Sequence, residues 1–152
     1  MTAIIGIDPG PTHCGIVCLE DGAVTFAMKD MPVRAVLGYL DAPWEHVAIE
    51  RVQSYGIAGG SLLRTSEVVG RLWNAAEAVH ARVTLHYRRE ILRALDVTGK
   101  GNRDALVRHR LIEMCGGTRE AAVGTKKTPG PLYGVSGHAW QALAVAIVAG
   151  MS

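Results

Sequence analysis

Two carboxylates in this sequence stand where acids do chemistry. Asp8 closes the apolar run that begins at Ala3, and Glu50 closes the run Val47-Ala48-Ile49. Each run reads as a buried strand, so each acid sits where a strand emerges. If the strands are neighbours, the carboxylates face each other and repel unless a cation neutralises them. Mg²⁺ suits such a pair, because it prefers oxygen ligands and tolerates bound water. Either acid alone reads more simply as a loop cap; the pair favours the metal.

The elements that must position these acids follow from pattern. Ala3 to Asp8 is an Ile-rich strand stopped by Pro9-Gly10. Cys14 to Leu19 and Ala23 to Met28 are two more strands, joined by a hairpin turn with Asp21-Gly22 at its tip. Pro32 to Leu40 reads as a helix with Pro in its first turn, and Val47 to Glu50 as a fourth strand. Ser61 to Ala81 carries apolar residues near a helical period, Arg82 to Tyr87 is a fifth strand, and Arg88 to Leu95 is helical. Asn102 to Cys115 is a helix stopped by Gly116-Gly117, Gly124 to Gly134 is a loop, and a last helix runs from Ser136 or Gly137 to about Ala149. A hairpin meander followed by alternating helices and strands implies a mixed sheet with helices on both faces.

Composition narrows the class. The chain has 152 residues, 49% apolar and 20% charged, which suits one globular domain and excludes disorder. The longest apolar stretch, Ala142 to Met151, is too short to span a membrane, and the N-terminus does not read as a signal peptide. Cys14, Cys18 and Cys115 lack metal-binding spacing and read as reduced thiols of a cytoplasmic protein. The net charge of +2 hides an asymmetry. From Arg82 to Lys127 there are eleven basic and five acidic residues, a segment of +6 against −4 for the remainder. Such a block is a plausible phosphate-binding face, although a solvated helical surface would look similar.

Three segments resemble a known family. Ile5-Gly6-Ile7-Asp8-Pro9-Gly10 followed by Gly15, then Ala48-Ile49-Glu50-Arg51-Val52, then Ala142 to Ile147 are similar, in that order, to the RuvC branch of the RNase H-like superfamily. The stretch Lys127 to Val135, running into Gly137-His138-Ala139-Trp140, looks most like phage-borne members. The resemblance implies an α/β, RNase H-like fold in one domain over residues 1–152: a five-stranded mixed sheet, three antiparallel strands then two parallel. It also implies a crossover junction endodeoxyribonuclease that resolves four-way (Holliday) or branched DNA as a cytoplasmic homodimer. The length implied leaves no room for an appended DNA-binding module, and neither a membrane nor a nucleotide cofactor is expected.

The resemblance further implies two Mg²⁺ ions, with Mn²⁺ as a substitute, flanking the scissile phosphate for in-line attack. Asp8 and Glu50 match the first two catalytic acids. His138 and Gln141 match two metal-proximal residues three apart on the last helix, where the family has Asp and Asp or His and Asp. His138 fits the histidine variant, as ligand or general base. Gln141 departs from the pattern, because its amide oxygen brings no charge. Asp104 could substitute, although an Asp at a helix start is also ordinary helix chemistry. Alternatively Asp8, Glu50 and His138 suffice, or the protein binds junctions and cuts them poorly. For DNA contact, Lys100 and Arg103 sit in the loop expected nearest the site. Lys126 and Lys127 on the Gly/Pro loop, Arg88 and Arg89, and a wedge at Tyr55 complete the expectation. Trp73 reads as core or dimer contact. An actin-like ATPase or sugar kinase also starts with such a strand, but needs two duplicated halves and is excluded by length.

Overall fold

The computed structural model describes residues 3–54 and 56–151. Strands β1 (Ala3–Asp8), β2 (His13–Glu20) and β3 (Ala23–Pro32) form the antiparallel meander. Asp21 and Gly22 between β2 and β3 have φ of 49° and 82°, the two left-handed positions a tight hairpin turn requires. After α1 (Val33–Leu40) comes β4 (His46–Arg51), which pairs parallel with β1; after α2 (Gly60–Ala78) comes β5 (Arg82–Tyr87), parallel with β4. The sheet order is β3-β2-β1-β4-β5. Helices α3 (Arg88–Ala94), α4 (Arg103–Cys115), α5 (Arg119–Ala122) and α6 (Ala139–Gly150) complete the chain. This is the expected five-stranded mixed sheet.

Strand alternation divides the core in two. Ile5, Ile7, Ile16, Val47 and Ile49 pack with the apolar residues of α1 and α2. Ile4, Val17, Leu19 and Ala48 point to the opposite face, beneath α3, α4 and α6. Ile5, Ile7, Ile16 and Ile49 are fully buried, each contributing about 1.5–3 kcal/mol relative to exposure. By the same alternation Asp8 shares the face of Ile4, and Glu50 that of Ala48, so both acids emerge beneath α6.

Helix α6 lies directly on the sheet because Gly6 permits it. A Cβ on Gly6 would sit 2.1 Å from the Ala142 carbonyl oxygen and 2.8 Å from the Ala146 Cβ. The apolar tail that is too short for a membrane is therefore a central helix, buried between the sheet and α4. Among the described residues no helix is long and apolar enough to cross a membrane.

Several boundaries differ from expectation. β3 continues to Pro32, which pairs with His13; an edge strand tolerates proline. Helix α2 ends at Ala78, not Ala81, because His80 turns left-handed (φ 62°) and Ala81 N–H returns to the Ala76 carbonyl. The short α5 lacks apolar periodicity and rests on Thr118, whose side chain accepts the Ala121 N–H at 3.2 Å. The last helix starts at Ala139, since Gly137 has φ 51° and leaves His138 as the N-cap residue. Trp73 is 39% exposed on α2 and is not part of the core.

Candidate active site

β1 and β4 run parallel with Ile7 beside Ile49, so the residues that follow them, Asp8 and Glu50, end side by side. Their side chains keep 17% and 15% of their surface, in a cleft of about 340 Å³. Burial raises the carboxyl of Asp8 above its usual range, opposed by a hydrogen bond with Glu50 and the nearby Arg88 charge. Burial, and then the charge of Asp8, push Glu50 up to about 8. Both carboxyls are thus raised, and the two titrate as a pair. The remaining Glu50 oxygen, Oε1, is buried without a hydrogen-bond partner, alone in this among the described side chains.

His138 reaches the pair from the start of α6, its Nδ1 3.4 Å from Asp8 Oδ2 and its ring largely exposed at the cleft mouth. Gly15 makes room for it. Gly15 is the β2 partner of Asp8, and a Cβ there would come within 2.5 Å of the His138 carbonyl oxygen. Gln141, one turn further, is buried and also lines the cleft.

Asp104 enters from α4. Asn102 caps that helix, its side chain accepting the N–H groups of Asp104 at 3.0 Å and Ala105 at 3.4 Å. The Asp104 side chain is therefore free to reach the cleft, where it pairs with Arg88. Helix chemistry does not exhaust its role.

Arg88 is the principal displacement from expectation. Grouped by sequence with the outer DNA contacts, it stands inside the cleft. Its Nη1 donates to Gln141 Oε1, its Nη2 donates to Asp104 Oδ1, and Nη1 lies 3.6 Å from Glu50 Oε1. The signal was its place directly after β5, next to β4, which carries Glu50. Lys100 and Arg103 do not line the cleft; the Arg103 guanidinium turns back onto the Gly99 carbonyl at 2.8 Å. Arg89 lies over the Tyr87 ring, 5.8 Å from its centre. Lys126 and Lys127 are exposed on their loop. Tyr55 lies outside the described residues. Arg108, counted in the basic segment but not singled out, lines a groove beside Gly137, His138 and Asp104. Its place one turn after Asp104 was the available signal.

The donor chemistry fits an oxygen-seeking cation at Asp8 and Glu50: two repelling carboxylates and one buried oxygen that makes no hydrogen bond, with the Arg88 guanidinium 3.6 Å away. Among the described residues no three His, Cys, Asp or Glu side chains converge as a preformed metal cage. On the Gln141 side, the cationic group at hand is the Arg88 guanidinium.

The sheet order, the helices on both faces and the paired strand-end acids define the class by fold: the chain has an RNase H-like architecture of the RuvC type. Two solved structures show the likeness. A RuvC from T. thermophilus in complex with a Holliday junction substrate aligns with TM-score 0.65 at 18% identity, over 97% of this chain and 92% of that one. A second Thermus thermophilus RuvC structure aligns with TM-score 0.60 at 20% identity over the same shares. No family model and no curated protein matches the sequence.

Proposed function

We propose that this protein is a divalent-metal-dependent endonuclease that cuts branched DNA, with four-way junctions as its substrate class, acting as a homodimer. The observation that carries this reading is the buried Asp8–Glu50 pair, open to a cleft, on the fold of a RuvC bound to a Holliday junction. Asp8 and Glu50 would hold Mg²⁺ or Mn²⁺, with His138 beside Asp8. When bound, the cation supplies a Lewis acid for the scissile phosphate.

The chain's own residues do the rest. Burial of Asp8 and Glu50 makes their ionised pair costly, so cation binding and ionisation are coupled. With Nδ1 of His138 toward Asp8, Nε2 is the ring nitrogen left to take a proton from the attacking water. In the balanced reaction water oxygen bonds to phosphorus, the P–O3′ bond breaks, and the leaving 3′-oxygen gains a proton. The exposed basic residues Lys100, Arg103, Arg89, Lys126 and Lys127 supply contacts for flanking phosphates.

A synthetic four-way junction tests the reading. Paired nicks on opposing strands are expected with Mg²⁺ or Mn²⁺, and none from Asp8→Asn, which should still bind the junction. A second reading, a junction-binding protein without activity, is favoured by Gln141, a neutral side chain hydrogen-bonded to Arg88. Tight junction binding by wild type with no cleavage in either metal would establish it.

A further inference from the structure

This inference rests on the nuclease reading and deepens it. We infer that Arg88 takes the place of a second divalent cation, so that one metal ion at Asp8 and Glu50 completes the site.

The geometry assigns Arg88 this place. It is the first residue of α3, directly after β5, and three other elements converge on its guanidinium. Gln141 from α6 and Asp104 from α4 each accept a hydrogen bond from it, and Glu50 from β4 lies 3.6 Å away. A guanidinium offers five N–H donors in a rigid plane, so these partners leave donors over. The side chain is 30% exposed and lines the cleft, so an oxygen of a phosphate entering there can reach it.

Charge and chemistry agree. Of the two arginines lining the cleft, Arg51 lies over the Tyr87 ring, 5.4 Å from its centre, and only Arg88 pairs with the acids. Asp8, Glu50 and Asp104 in their ionised forms, set against Arg88, leave two negative charges, which one divalent cation balances. Gln141 then has a reason. A carboxylate at that position would add a further negative charge to those that Arg88 already meets at Asp104 and Glu50, whereas the amide oxygen orients the guanidinium without adding one. The departure at position 141 and the arginine at position 88 are two halves of one arrangement.

The experiment counts Mn²⁺ bound per chain by electron paramagnetic resonance, without DNA, and separately measures junction cleavage. Wild type and Arg88→Lys are expected to bind one ion per chain. The double variant Arg88→Ala with Gln141→Asp, which removes the guanidinium and restores an acid, is expected to bind two. Cleavage by Arg88→Ala should fall roughly 10²–10³-fold, the usual cost of losing one donor to a developing charge, with partial recovery in Arg88→Lys. Two ions on wild type, or undiminished cleavage by Arg88→Ala, would overturn the inference. Should Arg88→Ala fail to fold by circular dichroism, the counts on wild type and Arg88→Lys decide. Wild type that cuts junctions with two bound ions sinks this inference and leaves the nuclease reading intact. One bound ion without any cutting does the reverse.

Discussion

Burial and the neighbouring Asp8 charge both oppose ionisation of Glu50, whose pKa is pushed from 4.5 to about 8. Across that interval the folded protein holds a proton that the unfolded chain has lost, so stability falls as pH rises. Asp8 acts in the same direction, since its carboxyl is also raised. The melting temperature of the metal-free protein should therefore drop between about pH 5 and about pH 8. Mg²⁺ should restore more of it at the upper end, where the bound form needs no proton displaced. Glu50→Gln should remove most of the slope. A flat wild-type profile by scanning fluorimetry would mean that Glu50 ionises normally and is no metal-poised acid.

Strands and helices bring these side chains within reach of one another, and two glycines set how close. Gly6 lets α6 lie on β1, and Gly15 lets His138 lie over the β2 residue paired with Asp8. Gly15→Ala should lift the start of α6, costing about 1–3 kcal/mol of stability and displacing His138 from Asp8. Gly70, mid-way along α2 with open space where its Cβ would be, supplies the contrast. Gly70→Ala should stabilise by about 0.5–1 kcal/mol, because alanine costs less backbone entropy in a helix. Urea unfolding of both variants, with cleavage measured alongside, separates packing from positioning. Equal stability for Gly15→Ala and wild type would contradict the close approach.

Over the whole molecule, the charge divides between a basic segment and an acidic remainder that contains Asp8 and Glu50. Lys100 and Arg103 are exposed outside the cleft, so their contacts with DNA would position it without entering the chemistry. Replacing both with alanine should weaken junction binding and reduce the slope of log K against log salt by about 2, one unit for each phosphate no longer neutralised. Cleavage at saturating enzyme should change little. An unchanged slope in binding titrations at several salt concentrations would move the DNA path elsewhere. The opposite pattern is expected of Arg88, which acts within the cleft.

The sheet and its acids are legible because their signals are local. Ile-rich runs end at turns, and an acid that closes such a run must sit at a strand end. The Asp-Gly turn sets the first hairpin, as its two positive φ angles show. Arg88 cannot be placed this way because its partners are distant along the chain: Gln141 lies 53 residues away and Asp104 lies 16. Asp104 reads as an ordinary helix-start acid, since nothing local shows that Asn102 already caps α4. The sequence by itself determined the strand-first order, the acids at the strand ends and the uneven charge, all of which arise from residues adjacent in the chain. Only the tertiary structure decided which cation faces those acids. That depends on four elements, β4, α3, α4 and α6, meeting at one end of the sheet, and hydrophobic packing of the two faces brings them there.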